Sequence, residues 1–333
     1  MKQHITRAYN SFAIDKDLGI ITKTSKETRL KDEINYYKTI AALKKRCTVF
    51  FPRMLFSYKE GDTYGMELEY YAYDNLGDYM VYRDFDEKFW LAAAATIQTA
   101  RKEFLKVKRT ETHTFDANID GRALARAMYI DKTEKYYYDL VNNFDKFGVL
   151  CRQKRLVIDG KQCRNFEEVW PEVLALIKKE LMGLHFTSII HGDFCFSNIL
   201  CGTNRKTETT ILKFVDPRGS FGTQGIFGDP LYDAAKLLHS YEGGYEYIIY
   251  DKFNVEEDPL RATYDIQFSN DNKNRIAEIF GEITSLRTLK SKLIEGLIYI
   301  GMCSRHYDSE ARQTAMYLTG IKTLNEILEG DIK

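Results

Sequence analysis

The fold is decided by residues 187–219, which read TSIIHGDFCFSNILCGTNRKTETTILKFVDPRG. Three short apolar runs of the β type lie at 187–190, 199–201 and 211–215, and a polar turn separates the last two. Polar residues follow the first and third runs. We therefore predict a two-stranded hairpin with polar side chains at one end, where they could hold an ion.

Three of these side chains suit phosphoryl transfer. Mg²⁺ prefers carboxylate and amide oxygens, and the reaction also needs a carboxylate beside the attacking hydroxyl. Asp193, Asn198 and Asp216 are side chains of these kinds. His191, Asp193 and Asn198 have the spacing of a kinase catalytic loop. Taken singly, His191 could be a core histidine and the other residues could be turn or strand-end residues. The ordered set favours a site.

The segments HGDFCFSNIL (191–200), FVDPRG (214–219) and GDPLYDAAKLL (228–238) resemble the aminoglycoside phosphotransferase and choline-kinase-like family. The resemblance extends over roughly residues 5–75 and 185–240, and the rest matches only as helices of suitable length. It implies an α+β, protein-kinase-like bilobal fold. A small β-rich lobe with one main helix is expected over residues 1–72, followed by a larger, mainly helical lobe over residues 73–333 for catalysis and acceptor binding.

The resemblance also implies a role for each residue of the motif. Asp193 would orient and deprotonate the acceptor hydroxyl, while Asn198 and Asp216 would be the Mg²⁺ ligands. His191 would support the loop without carrying a proton, and Asp233 would accept hydrogen bonds from backbone N–H groups of the loop.

Arg218 is a further cation beside this motif, and its role stays open at this point. It could contact phosphate or acceptor, or it could form a structural ion pair with Asp229. Asp229 precedes Pro230, which is typical of a helix N-cap followed by proline at the first helical position.

The first lobe is expected to supply a phosphate-binding lysine and its carboxylate partner. Lys23 on a predicted strand is the candidate, and Glu33, ten residues later on the predicted helix, would fix its ammonium group. The neighbouring residues Lys26, Glu27 and Lys31 are competitors for these two roles.

Nucleotide contacts are expected at two other places in this lobe. Residues 66–71 resemble the strand that enters the hinge, where the backbone around Glu69 and Tyr70 would read an adenine edge. Met66 and Tyr70 could line the base pocket or belong to the core. The turn near residues 8–11, expected over the phosphates, has no glycine, so contact there would come from Ser11 or from backbone groups.

The hydrophobic periodicity predicts one helix in the first lobe and several in the second. A capping-box pattern at Thr24 and Glu27 predicts the start of the first helix. The apolar positions of this helix are Leu30, Ile34, Tyr37 and Ala41. The remaining helices are predicted over residues 91–107, 124–144, 166–184, 286–302 and 310–328.

Composition excludes several classes of protein. Of 333 residues, 44% are hydrophobic, which rules out global disorder, and 48 basic residues balance 48 acidic ones. The zero net charge gives no support to a nucleic-acid or membrane partner. The N-terminus lacks an apolar signal region, no apolar run is long enough to span a bilayer, and the six cysteines form no CxxC pair. A cytoplasmic protein with reduced thiols is expected.

The resulting hypothesis is a kinase that uses ATP and Mg²⁺ to phosphorylate a sugar, sugar derivative or amino alcohol. Residues 241–258, rich in tyrosine and acids, could hold an amine or a sugar, or form a solvated face. The alternatives are a catalytically silent pseudokinase that acts as a binding module, and a protein kinase. Only twelve residues separate Asp216 from Asp229, too few for a protein-kinase activation segment.

Overall fold

The structure is a computed structural model that describes residues 10–107, 120–183, 188–204, 209–223 and 225–332. Its strands are β1 (Asn10–Asp15), β2 (Ile20–Ser25), β3 (Met54–Glu60), β4 (Thr63–Glu69), β5 (Asp74–Asn75), β6 (Arg155–Ile158), β7 (Lys161–Arg164), β8 (Ser188–Ile189), β9 (Ile199–Asn204), β10 (Thr209–Phe214), β11 (Phe227–Gly228), β12 (Phe253–Asp258) and β13 (Thr263–Phe268). Its α-helices are α1 (Thr28–Ala42), α2 (Leu76–Tyr82), α3 (Glu87–Lys106), α4 (Gly121–Ala125), α5 (Lys132–Asn143), α6 (Asp145–Leu150), α7 (Phe166–Glu180), α8 (Pro230–Tyr241), α9 (Tyr245–Ile249), α10 (Asn272–Thr284), α11 (Leu289–Cys303) and α12 (Glu310–Leu328).

The N-terminal part is a four-stranded antiparallel sheet in the order β1-β2-β4-β3, with α1 packed against it. The predicted capping box is wrong, because Thr24 continues β2 and α1 begins at Thr28. The Ser25 hydroxyl instead accepts the N–H of Glu27 at 3.1 Å. The buried face of α1 includes Ile40, whereas the predicted Ala41 is exposed.

The hairpin predicted from residues 199–215 is present as β9 and β10, and β5 pairs with the outer side of β9. Ile199 lies opposite Phe214, and the N–H of Val215 donates to the carbonyl of Asn198 at 3.0 Å. Asn198 and Asp216 therefore lie at the same end of the hairpin. The preceding run is represented by β8, which pairs with β11.

A second four-stranded sheet, β12-β13-β6-β7, interrupts the helical region and is not among the sequence predictions. Its β6–β7 hairpin turns at Asp159-Gly160, where both residues have positive φ (49° and 74°). This dipeptide is a strong hairpin signal, but the flanking strands have only four residues each. The short strands give too little periodicity to be recognised.

The long predicted helices are confirmed with shifted ends, and α12 has the predicted bounds. The helix expected over residues 124–144 is divided by a π-helical turn at Arg126–Asp131, between α4 and α5. π-Turns are often found at functional sites. This one carries Tyr129, which faces a cavity described below.

Helix α8 lies at the centre of the molecule and is buried from Tyr232 to Tyr241. A helix that is covered on all sides is held in one position by its neighbours, so it provides a rigid base for the residues above it. All six cysteines lie in the described ranges, where each is buried and free. Within those ranges, no helix combines the length and apolar character needed to cross a bilayer.

Candidate active site

The loop that follows β8 is anchored to α8. The carboxylate of Asp233 accepts the N–H groups of His191 and Gly192 at 2.7 and 2.8 Å. Gly192 has a φ of +79°, and a Cβ placed there would lie 2.8 Å from the Cβ of Arg218. A glycine is therefore required at this turn, where two loops cross. Asp233 thus makes the contacts that the resemblance implies for it.

His191 is fully buried among aromatic rings, with ring centroids of Phe194 and Phe51 at 5.4 and 6.2 Å. Burial lowers the pKa of its imidazole to about 4, so the ring is neutral at neutral pH. Its Nδ1 accepts the N–H of Asp193 at 3.3 Å. These contacts suit a residue that supports the loop.

Asp193 is held by two cations. Its Oδ1 lies 3.0 Å from Nζ of Lys236, and its Oδ2 is paired with the guanidinium of Arg218. The backbone N–H of Arg218 also donates to the carbonyl of His191 at 2.9 Å. The proposed Arg218–Asp229 pair is wrong, because the Asp229 carboxylate instead accepts the hydroxyl of Tyr129 and caps α8.

Lys236 is a residue of the site that the sequence predictions missed. It lies one helical turn after Asp233, so both side chains leave α8 on the same face. Asp233 is already expected to lie below the loop. This i, i+3 spacing is therefore the signal that could have identified Lys236.

Asn198 and Asp216 place an amide oxygen and a carboxylate, both able to bind a metal, at one end of the β9–β10 hairpin. The Nδ2 of Asn198 donates to the carbonyl of Asp193 at 2.9 Å, which fixes the orientation of the amide. Asp216 has a φ of +60°, an unusual backbone conformation for a residue with a side chain. An amide oxygen and a carboxylate fit Mg²⁺. Among the described residues, no group of three His, Cys, Asp or Glu could hold a metal alone, so phosphate oxygens would have to complete the coordination.

Lys23 connects the N-terminal sheet to this hairpin. Its Nζ lies 2.6 Å from Oε2 of Glu33 and 2.6 Å from Oδ1 of Asp216. Burial alone would lower the pKa of Lys23, but the two carboxylates raise it above its usual value. The competing residues Lys26, Glu27 and Lys31 are all exposed.

Arg29, on the first turn of α1, extends the same charged group. Its Nη2 lies 3.6 Å from Oδ2 of Asp216. Although burial would raise the pKa of Asp216, the cations Lys23, Arg29 and Arg218 lower it well below its usual range. Asp216 is therefore a carboxylate at any physiological pH.

The expected hinge residues have their N–H groups occupied by backbone carbonyls next to the strands of the N-terminal sheet. Glu69 N–H donates to the carbonyl of Arg53 at 3.0 Å, and Tyr70 N–H donates to that of Gly19 at 2.8 Å. Adenine contacts from these two residues would therefore have to involve their carbonyls. Met66 is fully buried and belongs to the core, while Tyr70 is half-buried.

Ser11, the residue expected to contact phosphate, is exposed and lies in β1 opposite Thr24. Residues 8 and 9 of the expected phosphate-covering turn lie outside the described residues. Phe12 follows Ser11 in β1, and the centre of its ring lies 5.7 Å from Nζ of Lys23.

A cavity of about 290 Å³ opens beside Asp193 and lies between α5, α8 and α11. Its wall includes the aromatic residues Tyr129, Tyr232 and Tyr245. From the acidic segment 241–258, Tyr245 is the one described residue that reaches this cavity.

The acids of that segment make structural contacts elsewhere. Glu242 pairs with Arg287 and Lys292, and Glu246 accepts hydrogen bonds from Ser197 and Ser240. Asp251 pairs with Arg312, and Glu257 pairs with Lys146. The hypothesis that these carboxylates hold an amine therefore has no support in the described structure.

Several solved structures share this architecture. A thermostable mutant of aminoglycoside phosphotransferase APH(4)-Ia is 11% identical with a TM-score of 0.54, and the match covers 94% of this chain and 87% of that one. A GDP complex of a mutant aminoglycoside 2'-phosphotransferase-IIIa is 14% identical with a TM-score of 0.55, covering 98% and 90%. The ternary complex of APH(2")-IIa with streptomycin and ATP is 14% identical with a TM-score of 0.51, covering 94% and 90%.

This chain has the aminoglycoside phosphotransferase fold. The fold class predicted from the sequence, an α+β protein-kinase-like architecture with a β-rich N-terminal part and a helical C-terminal part, is thereby confirmed. No protein-family model matches the chain, and a search of the curated proteins found no match to it. The division at residue 72 and the roles of individual residues stay predictions.

Proposed function

We propose that this chain transfers the γ-phosphoryl group of ATP, bound with Mg²⁺, to a hydroxyl of a small-molecule acceptor. The observation that carries the proposal is the continuous set of charged contacts from Glu33 through Lys23 to Asp216. It joins a candidate phosphate-binding lysine to a candidate metal ligand that is 193 residues away in sequence. The solved structures with this fold that hold GDP or ATP support a nucleotide as the donor.

Each residue has a definite part in the proposed reaction. Glu33 orients Lys23 toward the phosphates. Asn198 and Asp216 would hold Mg²⁺, which would neutralise negative charge on the phosphates when bound. The acceptor oxygen forms a bond to the γ-phosphorus of ATP. At the same time, the bond between the γ-phosphorus and the β,γ-bridging oxygen breaks. The hydroxyl proton passes to Asp193, and the electron pair leaves with ADP.

The cavity beside Asp193 supports a small molecule as acceptor. Asp193 lies in its wall together with Gly192, so a hydroxyl bound in the cavity can approach the carboxylate. The volume of about 290 Å³ lies just below the roughly 300–1,000 Å³ typical of small-molecule sites. A monosaccharide-sized molecule suits this volume better than a folded protein substrate.

The test is acceptor-dependent release of ADP from Mg·ATP, and of GDP from Mg·GTP, with pooled sugars, sugar phosphates, sugar acids, amino alcohols and nucleosides. Loss of the general base typically lowers a rate by about 10²–10⁴-fold. We therefore expect Asp193→Asn to reduce kcat by that factor while nucleotide affinity stays close to wild type. Asp216→Ala should instead weaken the Mg²⁺-dependent part of nucleotide binding.

Asp62→Asn is the matched control, because Asp62 is an exposed residue in the turn between β3 and β4. It removes the same charge without touching the site and should retain full activity. Wild-type transfer rates in both Asp193→Asn and Asp216→Ala would refute the catalytic assignment. Nucleotide binding without turnover of any pool would favour the pseudokinase alternative.

A further inference from the structure

The cavity beside Asp193 carries an excess of positive charge. The described residues that line it include the four cations Lys132, Arg218, Lys236 and Arg305, whereas Asp193 is the one carboxylate among them. Arg218 and Lys236 are both used to hold Asp193. The other two cations, Lys132 and Arg305, are not paired with Asp193.

Lys132 and Arg305 lie against aromatic rings of the cavity wall. The Nζ of Lys132 is 5.7 Å from the ring centre of Tyr232, and the guanidinium carbon of Arg305 is 5.7 Å from that of Tyr136. Within the part of the chain that the structure describes, neither cation has a carboxylate at ion-pair distance. Their charge is therefore available to a ligand.

The phenol of Tyr232 responds to this positive potential. Burial alone would raise the pKa of Tyr232, but Lys132 and Lys236 outweigh it, so that the pKa falls below its usual value. Cations that stabilise a phenolate also stabilise other oxyanions in the same place. An ammonium group would be repelled there.

We propose that the acceptor is an anionic alcohol, whose hydroxyl lies at Asp193 and whose phosphate or carboxylate group is bound by Lys132 and Arg305. The inference rests on the proposed phosphotransfer and names the class of its acceptor. Arginine and lysine are the residues that recognise such groups. An amino alcohol or an aminoglycoside carries positive charge and is disfavoured by the same cations.

The test compares four acceptor pools of similar molecular size. They are neutral sugars, sugar phosphates, sugar and hydroxy acids, and amino sugars with amino alcohols. Turnover is followed by ADP release. We expect the phosphate or the acid pool to be used with a KM at least tenfold below those of the neutral and amino pools. The better of the two anionic pools identifies the source of the oxyanion.

Lys132→Gln and Arg305→Gln should each raise the KM for the anionic acceptor about tenfold or more, because hydrogen bonds to charged groups are the stronger ones, with a smaller effect on kcat. Lys178→Gln is the matched control, since Lys178 is an exposed residue of α7 and does not line the cavity. It should leave this KM unchanged. A preference for neutral or amino acceptors, or an unchanged KM in both cavity variants, would overturn the inference.

A binding measurement separates this inference from the phosphotransfer itself. With the nucleotide site saturated by Mg²⁺ and a non-hydrolysable ATP analogue, calorimetric titration with inorganic phosphate should show binding that is weakened in Lys132→Gln and Arg305→Gln. If no pool is turned over but phosphate binds in this way, the phosphotransfer fails and the anion site stands. If phosphate binds equally to the wild type and both variants, or to none of them, the anion site fails.

Discussion

At the residue scale, burial decides between two roles of His191. A histidine two residues before the proposed catalytic aspartate, Asp193, could be a proton carrier or a structural support. Its complete burial and its lowered pKa of about 4 keep the imidazole neutral under physiological conditions. A ring that is enclosed by phenylalanines is out of reach of a substrate, so we expect His191 to support the loop and not to carry a proton.

This burial predicts a specific dependence of stability on pH. The unfolded chain protonates His191 near pH 6.5, whereas the folded protein does so only near pH 4. The unfolded state binds more protons between these values, so acidification through this window favours unfolding. We expect the unfolding free energy of the wild type to fall by up to about 3 kcal/mol more than that of His191→Asn between pH 6.5 and 4.

Urea titrations of the wild type and His191→Asn at half-unit pH intervals provide the measurement. Between pH 7 and 8, His191 is neutral in both the folded and the unfolded state, so the difference in unfolding free energy between the wild type and His191→Asn should be constant there. Below pH 6.5, the stability of the wild type relative to His191→Asn should decrease. A difference that is independent of pH down to 4 would show that the folded imidazole protonates normally.

At the scale of elements, the loop after β10 must pass very close to α1. A Cβ on Gly219 would lie 2.1 Å from the carbonyl oxygen of Asp32, and the residue has a φ of +62°. The neighbouring Glu33 on α1 orients Lys23, and Asp216 lies three residues before Gly219 in the loop. Because this loop passes so close to α1, Asp216 on the loop and Glu33 on the helix can both form ion pairs with Lys23.

Gly219→Ala should consequently destabilise the fold and separate these elements. Strained backbone and overpacking together give an expected loss of about 2–5 kcal/mol, together with weaker nucleotide binding. Gly61→Ala is the matched control, since Gly61 also has a positive φ (+53°) but open space around the added Cβ. It should cost about 1 kcal/mol. Equal losses in thermal denaturation of the two variants would contradict the close-approach argument.

At the scale of the whole molecule, Lys23 of the N-terminal sheet forms an ion pair with Asp216, which follows β10 in the C-terminal part. A ligand that binds only the folded state stabilises it, by about 2.7 kcal/mol at one hundred times its Kd. Mg·ATP should therefore raise the Tm of the wild type. Because Lys23 is the proposed phosphate ligand, Lys23→Met should lose most of this increase.

Lys26→Met is the control for that measurement, because Lys26 is exposed and three residues away. It should retain the full nucleotide-dependent rise in Tm. The proposed role of Lys23 would be wrong if Lys23→Met, at the same nucleotide concentration, showed the same rise as Lys26→Met.

From the sequence alone, local spacing and periodicity determined the hairpin and the long helices, because they record which side chains share a strand end or a helix face. The candidate residues Lys23, Glu33 and Asp233 came from the family resemblance, and Asp193 came from the spacing of its motif together with that resemblance. Only the tertiary structure showed that Asp216 is a second partner of Lys23 and that Arg218 and Lys236 hold Asp193. Arg218 pairs with Asp193 because Gly192 lets its loop cross close by. The positive charge of the cavity beside Asp193 likewise arises from four separate segments, and no local pattern in the sequence records how distant segments meet.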